Sequence, residues 1–316
     1  MLIESASVSA SATFDCFLCG WRVVSALPLP DLLPWTGDDR MADLVIELGP
    51  VPERVDDGIG VPSLFQIAAD GTCRVQIRDI ATYLIDPAGR RVVIDAVMPL
   101  QAPDVRVFLL GTVFSILCFR RGLLPLHASC VRVGDSVLAL AGPSGMGKST
   151  LAAALSRRGH AVLADDVTVL DFTAPGGPRV LPTFPRLKLW RDAMARLDLS
   201  IEGLERARVV LDKYHLPVGD AFCSRSLPLS AVFHLDTGRN PDDGLMSRLS
   251  GPEAVAWMGR DVYRAELMRW LGLSPRFLPN IVAATAVEGG TWVVAHGHDH
   301  GGLERSIDGI LDRVCR

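Results

Sequence analysis

The sequence has little net charge and no long apolar run, and each absence excludes a class of protein. Its 316 residues carry a formal net charge of −4, which predicts no nucleic-acid partner and no binding to an anionic membrane. The longest apolar run, Val107–Phe119, is shorter than the about 20 residues of a membrane-spanning helix. This run predicts a buried helix, with an interfacial membrane helix as the alternative.

Targeting and disulfide signals are also missing. Met1–Phe14 contains no basic segment followed by an apolar one, so it does not predict a secretory signal. Seven cysteines, an odd number at scattered spacings, predict free thiols in a reducing cytoplasm. Cys16 and Cys19 have no second pair at zinc-ribbon spacing, so structural thiols are favoured over a metal or redox site.

Length and composition predict a globular protein of two domains, because the chain is 49% hydrophobic and 22% charged. Residues 1–101 predict a β-rich α+β module, in which apolar runs alternate with turns such as Asp86–Gly89. Residues 102–316 form the second predicted domain. The sequence leaves open whether the module docks a substrate, assists assembly or only caps the second domain.

A glycine-rich loop is the clearest motif. The pattern G-x-x-x-x-G-K-[ST] lies between a strand-like run, Val137–Ala141, and a helix-forming run, Leu151–Leu155. The N–H groups of such a loop and the N-terminus of the helix form a phosphate site. The predicted nucleotide-binding residues here are Gly142, Pro143, Ser144, Gly145, Met146, Gly147, Lys148, Ser149 and Thr150.

Two loop side chains have specific predicted roles. Lys148 reaches the β- and γ-phosphates of ATP, and the hydroxyl of Ser149 is a ligand of Mg²⁺. A chance glycine turn before a helix is the alternative, but the motif and its flanking elements agree. ATP and Mg²⁺ are therefore the predicted cofactors.

A pair of carboxylates, Asp165 and Asp166, follows the strand-like run Ala161–Ala164. Beside a phosphate loop, such a pair predicts a metal site and a catalytic base. Adjacent residues on a strand point to opposite faces, so both can serve only if the chain turns there. The sequence does not decide which is the base; Asp166 is the predicted metal ligand beside Ser149. The alternative is a pair that only caps the turn.

These motifs together resemble the HPr kinase/phosphorylase family. Its core order is a histidine, a strand, the phosphate loop, a helix, Arg-Gly-His, a strand and two aspartates. This chain has His127, Gly142–Ser149, Arg158–His160 and Asp165–Asp166 in that order. The resemblance is strong over about His127–Leu170 and weaker to about Asp236.

The resemblance implies an α/β P-loop kinase core of the HPr kinase/PEP carboxykinase-like type, acting as an ATP-dependent serine kinase. It implies an active-site role for His127, which is otherwise a core histidine, beside catalytic Lys148, Asp165 and Asp166. It also implies that Lys213 reaches nucleotide or substrate phosphate, with a surface lysine as the alternative.

The chain departs from the HPr enzymes in two places. The family's later G-x-R and E-[IV]-R-G segment is missing, and Thr150 replaces an acidic residue. HPr and the reverse, phosphorylase reaction are therefore not predicted. The chain looks more similar to divergent serine kinases of this family, including those that phosphorylate the precursors of lasso peptides.

Two further patterns carry candidate binding residues. Arg186 and Lys188 alternate along a strand-like run, so they share a face and predict binding of substrate phosphate or an acidic peptide; a solvated edge strand is the alternative. His296, His298 and His300 stand at every second position and could bind a metal ion, although a polar loop is favoured.

The sequence thus predicts a kinase that phosphorylates a Ser or Thr hydroxyl of a peptide or small protein. A nucleotide-binding regulatory module without turnover is the alternative from another class, and a small-molecule kinase shares the same chemistry. The paired aspartates favour a kinase, because a pure binder needs no base. A homo-oligomer is left open.

Overall fold

The computed structural model describes residues 13–61, 64–239, 245–297 and 300–314. Within these ranges the chain is a mixed α/β protein built on two large sheets. No helix in the described ranges is long and apolar enough to cross a membrane. All six cysteines described there are free and buried.

The first sheet contains nine strands in the order β3-β1-β2-β4-β9-β8-β7-β6-β5. They are β1 (Phe14–Leu18), β2 (Trp21–Ser25), β3 (Leu33–Pro34), β4 (Leu44–Leu48), β5 (Ile59–Val61), β6 (Phe65–Ile67), β7 (Cys73–Ile77), β8 (Ala81–Ile85) and β9 (Arg91–Ala96). β4 runs parallel to β2 and β9, and the other neighbours are antiparallel. Alternate residues are buried along β8, as expected for a sheet with one face on the core.

A buried helical segment connects the two halves of the chain, where the sequence predicts a buried helix. It consists of α1 (Pro103–Phe108), a π-helical stretch (Leu109–Val113) and α2 (Phe114–Arg120). The ring of Phe114 contacts Trp21 of the first sheet and Phe184 of the second half, at centroid distances of 5.6 and 6.1 Å. One apolar cluster includes residues from both halves, so the division into two domains remains a prediction.

The second half contains the remaining strands and helices. The strands are β10 (Leu124–Leu126), β11 (Ala128–Val133), β12 (Ser136–Ala141), β13 (Val162–Ala164), β14 (Thr168–Asp171), β15 (Arg179–Leu181), β16 (Arg186–Trp190), β17 (Lys213–Pro217), β18 (Leu227–Asp236), β19 (Met246–Leu249) and β20 (Thr291–Ala295). The helices are α3 (Lys148–Arg157), α4 (Arg191–Arg196), α5 (Gly251–Arg260), α6 (Ala265–Trp270), α7 (Ser274–Thr285) and α8 (His300–Val314), with a 3₁₀ turn at Gly219–Ala221.

The second sheet has the order β10-β14-β15-β18-β12-β11-β13, and β20 pairs with both β18 and β19. β18 is parallel to β12 and to β20, so these three strands end at the same edge. Strands β16 and β17 form a separate antiparallel ribbon. The sheet edge, helix α3 and this ribbon together surround the candidate site.

Candidate active site

The glycine-rich loop, Gly142–Gly147, joins β12 to α3 at the shared edge of β12, β18 and β20. Gly142, Gly145 and Gly147 have φ of 139°, 90° and 86°, a range in which other residues are strained. A cleft of about 430 Å³ lies against the loop. Of the predicted nucleotide-binding residues, it is lined by Ser144, Gly145, Gly147, Lys148, Ser149, Thr150 and Lys213.

Lys148 begins α3 and folds back over the loop. Its Nζ donates hydrogen bonds to the carbonyl oxygens of Gly142 (2.7 Å) and Pro143 (2.8 Å). Burial lowers the pKa of Lys148 to about 8, although the carboxylates of Asp166 and Asp165 oppose the shift. The cleft therefore contains a buried amine that is still mostly protonated at neutral pH.

The two aspartates lie in a sharp break between β13, which ends at Ala164, and β14, which begins at Thr168. Asp166 has φ of +70°, a left-handed conformation that aspartate tolerates better than most residues. The chain turns at this position, which is the condition under which both carboxylates can serve one site. Each carboxylate nevertheless has its own surroundings.

Asp165 is fully buried and holds the start of α3. It accepts hydrogen bonds from the hydroxyls of Ser129 (2.6 Å) and Ser149 (2.7 Å) and from the backbone N–H of Lys188 (2.7 Å). The hydroxyl predicted to bind Mg²⁺ thus contacts Asp165, whereas the sequence paired it with Asp166. Asp165 thus links the start of α3, just after the glycine-rich loop, to β11 and β16.

Asp166 lies in the cleft and faces basic side chains. Its carboxylate accepts a hydrogen bond from Nζ of Lys188 at 2.7 Å and lies 3.9 Å from Nε2 of His127. Burial acts to raise the pKa of Asp166, but the positive charges of Lys188 and Lys213 outweigh it and hold the pKa well below its usual range. Asp166 is therefore a carboxylate at neutral pH.

The β16–β17 ribbon carries two of the lysines into the cleft. Lys188 lies opposite His215, and Trp190 lies opposite Lys213, so these four side chains share one face. The other face carries Leu187 and Leu189, which belong to the same apolar cluster as residues of α3. This packing fixes the polar face of the ribbon opposite the loop.

Arg186 lies on the same strand and the same face as Lys188 but does not line the cleft. Its Nε donates to Asp31 at 2.7 Å, and Arg106 donates to the other oxygen of Asp31 at 2.9 Å. Nδ1 of His215 lies 3.3 Å from Asp31, and Arg106 also pairs with Glu205. The predicted substrate-binding role of Arg186 does not fit this position, because its guanidinium is buried against Asp31 of the N-terminal half. The alternative, a solvated strand face, does not fit this burial either.

His127 forms another wall of the cleft. Its backbone N–H donates to the carbonyl oxygen of Asp261 at 2.7 Å, and its ring lies 5.6 Å from that of Tyr263. Burial, together with the charge of Lys148, lowers the pKa of His127 to about 4. The imidazole is consequently neutral at pH 7, with Nε2 facing Asp166.

Several residues of the site were missed in the sequence. Trp190, Asp192 and Arg196 line the cleft, and Ser129 holds Asp165. The lysines did mark the cleft: the chain has three, at 148, 188 and 213, among 32 Lys and Arg residues, and all three were predicted site residues. All three line this cleft. Ser129 gave no such signal, because it is one small residue in an apolar strand.

The histidine pattern near the C-terminus is only partly described by the structure. His296 is buried, and its Nδ1 lies 2.9 Å from Oγ of Ser306. His298 and the side chain of His300 lie outside the described residues. Among the residues that are described, no group of three or more His, Cys, Asp or Glu side chains is arranged to hold a metal ion.

Two histidines, His215 (buried) and His127 (partly buried), predict a loss of stability in mild acid. Burial, then neighbouring cations, lower the pKa of His127 to about 4 and that of His215 to about 2, from about 6.5. The folded state then binds fewer protons than the unfolded state, so stability is present above about pH 6.5 and falls as the pH falls toward these values. At about pH 5 we expect a loss of about 2 kcal/mol for each histidine.

Urea unfolding at about pH 7 and about pH 5 measures this loss. The His215→Asn variant lacks one of the two titrating groups. The difference in its free energy of unfolding between the two pH values should therefore be about 2 kcal/mol smaller than in the wild type. The opposite observation, a variant with the same pH dependence as the wild type, would show that His215 is not held neutral. The depressed pKa values of Asp31 and Asp166 act at lower pH, through the range below about 4.

Comparison with known proteins gives little further help. No known protein family and no curated protein matches the chain. Among solved structures, the chain is similar to the Hpr(Ser) kinase/phosphatase from Coxiella burnetii, with 17% sequence identity and a TM-score of 0.27 over 40% of this chain and 76% of the other. At that TM-score the likeness is too low to support a shared fold, so the geometry of the site has to support any functional assignment.

Proposed function

We propose that this protein is an ATP-dependent kinase that transfers the γ-phosphate to a Ser or Thr hydroxyl of a peptide or small protein. The observation that supports this most strongly is that the two adjacent aspartates have different partners. Asp165 is held by the hydroxyl of Ser149 in the loop, whereas Asp166 remains charged and faces the cleft. A site that only bound nucleotide would have no use for the second carboxylate.

The donor set fits Mg²⁺. The hydroxyl of Ser149 and the carboxylate of Asp165 lie 2.7 Å apart beside the loop, and both are hard oxygen ligands of the kind that Mg²⁺ prefers. We assign these two side chains to the metal, in place of Asp166. When bound there, Mg²⁺ neutralises charge on the phosphates and orients them.

Asp166 is the proposed base. The acceptor hydroxyl attacks the γ-phosphorus of ATP, the bond to the β-phosphate oxygen breaks, and the hydroxyl proton passes to the carboxylate of Asp166. Lys188 donates a hydrogen bond to that carboxylate at 2.7 Å, and Nε2 of neutral His127 lies 3.9 Å from it, so both side chains help to orient it. ADP is the leaving group.

The three lysines supply the positive charge that the transferred phosphoryl group needs. Lys148 emerges from the loop, and Lys213 comes from the opposite wall, where its charge acts on both Asp166 and Lys148. A phosphoryl group between loop and ribbon would thus have a cation on either side. Such electrostatic stabilisation is the main catalytic contribution in phosphoryl transfer.

A peptide acceptor is favoured by the rim of the cleft. Trp190 is 38% exposed there, next to Asp192 and Arg196 of α4. An exposed indole beside charged side chains is a surface on which a peptide packs well. The precursor of a lasso peptide, suggested by the family resemblance, is one such acceptor.

The central test is the Lys148→Ala variant. Removing this cation should abolish phosphoryl transfer and weaken Mg-ATP binding at least about tenfold, since a buried charge-assisted contact to phosphate is lost. Calorimetry with Mg-ATP measures affinity. Transfer is measured by incubating the protein with Mg-[γ-³²P]ATP and a lysate of the source organism, and by following labelled peptide or protein bands.

The control for this test is Arg132→Ala, which removes a cation from the exposed β11–β12 hairpin. It should bind Mg-ATP and transfer phosphate like the wild type. Unchanged affinity together with unchanged transfer in Lys148→Ala would sink the proposal. Binding of Mg-ATP without any labelled product would instead favour the nucleotide-binding module without turnover.

A further inference from the structure

His296 is a buried titratable side chain that the proposed chemistry does not use. It follows β20, whose C-terminal end lies at the same sheet edge as the phosphate loop, and it is 4% exposed. Its ring lies directly behind Gly147, the last residue of the loop. A methyl group added at Gly147 would lie 2.6 Å from Nε2 and 3.1 Å from Cδ2 of His296, closer than non-bonded atoms tolerate.

Hydrogen bonds hold this ring in one orientation. The backbone N–H of His296 donates to the carbonyl oxygen of Asp236 at 3.0 Å, which ties the residue to the end of β18. Oγ of Ser306 donates its proton to the carbonyl oxygen of Gly302 at 2.9 Å. The same hydroxyl lies 2.9 Å from Nδ1 of His296, so it links the ring to α8.

The other ring nitrogen, Nε2, is the atom of His296 that lies nearest to the space beside Gly147. Gly147 has φ of 86°, and it immediately precedes Lys148 and Ser149. A small movement of this glycine would move both side chains that are proposed to bind phosphate and metal.

We propose that His296 is a positioning residue that sets the backbone of the phosphate loop from behind. The ring occupies the space into which the backbone at Gly147 could otherwise move, and Ser306 of α8 keeps the ring in place. Helix α8 thereby contributes to nucleotide binding without touching the nucleotide. The inference rests on the proposed function in one respect, namely that the loop binds the phosphates of ATP.

Three variants separate support of the loop from general stability. His296→Ala removes the ring, and Mg-ATP affinity should fall about tenfold, because a loop that can relax must be ordered again on binding. His296→Asn can keep the bond to Ser306 but is too short to reach Gly147, so it should bind as weakly as His296→Ala. His296→Gln extends to the position of Nε2 and should restore affinity to within about threefold of the wild type.

The control is His160→Ala, which removes a half-buried histidine at the far end of α3 whose ring contacts the carbonyl oxygen of Arg132. Its affinity for Mg-ATP should stay within about twofold of the wild type. All variants are compared by calorimetry on the full chain, with thermal midpoints measured in parallel. The inference is overturned if His296→Ala binds Mg-ATP like the wild type, or if affinity merely follows the thermal midpoint across all variants.

A second measurement does not depend on nucleotide. Gly147→Ala should lower the thermal midpoint strongly, and His296→Ala in the same chain should recover part of that loss because the clash disappears. Gly147→Ala alone and Gly147→Ala combined with His296→Ala both carry the strain of a positive φ at residue 147, so this strain cancels when the two are compared. If Gly147→Ala lowers the thermal midpoint equally with and without the His296 ring, the ring does not restrict the backbone at Gly147. A wild-type chain that binds no Mg-ATP would overturn the proposed function and the nucleotide role of His296. The comparison of thermal midpoints would still show whether the His296 ring packs against Gly147.

Discussion

Replacing Asp166 with asparagine is expected to lower the rate of phosphoryl transfer about 10²-fold or more while Mg-ATP affinity stays within a few-fold. The substitution preserves shape and removes the charge that would accept the proton of the acceptor hydroxyl. Lys188 loses its carboxylate partner at 2.7 Å, but the loop, Lys148 and Ser149 are unchanged. A loss confined to the transfer step is the result that a base should give.

Single-turnover labelling with [γ-³²P]ATP and calorimetry measure the two quantities separately. The matched control is Asp171→Asn, at the end of strand β14, where the carboxylate accepts hydrogen bonds from Thr173. Both the transfer rate and the Mg-ATP affinity of this variant should remain those of the wild type. Asp165→Asn is expected to differ from Asp166→Asn and from Asp171→Asn. It removes the partner of the Ser149 hydroxyl and should therefore raise the Mg²⁺ concentration needed for activity. Transfer at the wild-type rate in Asp166→Asn would remove this residue from the mechanism.

Replacing Asp31 with asparagine is expected to cost about 3–5 kcal/mol of the free energy of unfolding. Asp31 lies between the guanidinium groups of Arg186 and Arg106, and all three side chains are at most 5% exposed. These cations hold the pKa of Asp31 well below its usual range, despite the burial that acts to raise it. Without the carboxylate, two buried cations would lose their shared partner.

Urea unfolding of Asp31→Asn and of a surface control tests this expectation. Asp38 forms an exposed pair with Arg40 at 3.7 Å, so Asp38→Asn should change stability by no more than about 0.5 kcal/mol. If Asp31→Asn does not fold, Glu205→Gln provides the milder version, since Glu205 is 43% exposed and also pairs with Arg106. A loss below about 1 kcal/mol in Asp31→Asn would mean that the buried cluster does not hold the two halves together.

The glycine-rich loop illustrates what can be predicted from local sequence. Its glycines, lysine and serine occupy fixed spacings, and the strand before it and the helix after it follow from apolar runs that need no distant partner. The turn at Asp165 and Asp166 is local too, because a strand that ends in two carboxylates cannot bury both. For this reason the order of strand, loop, helix and turn was visible before the fold.

Arg186 and Lys188 illustrate the opposite case. The alternation correctly put both on one face of a strand, but it could not show what covers that face. Residue 31, more than a hundred positions earlier, neutralises Arg186, while Asp166 meets Lys188. Two basic residues with the same local pattern therefore lie in different surroundings.

Sequence by itself determined which segments form the mixed α/β framework and which short motif forms the glycine-rich loop against the cleft, because both depend on neighbours within a few residues. Only the tertiary structure decided that Asp165 holds Ser149 while Asp166 faces the cleft, that all three lysines converge there, and that His296 supports Gly147 from behind. Those arrangements depend on contacts between residues far apart in the chain. Burial and the charge of the neighbouring groups, which no local pattern specifies, then set the protonation and partners of each side chain.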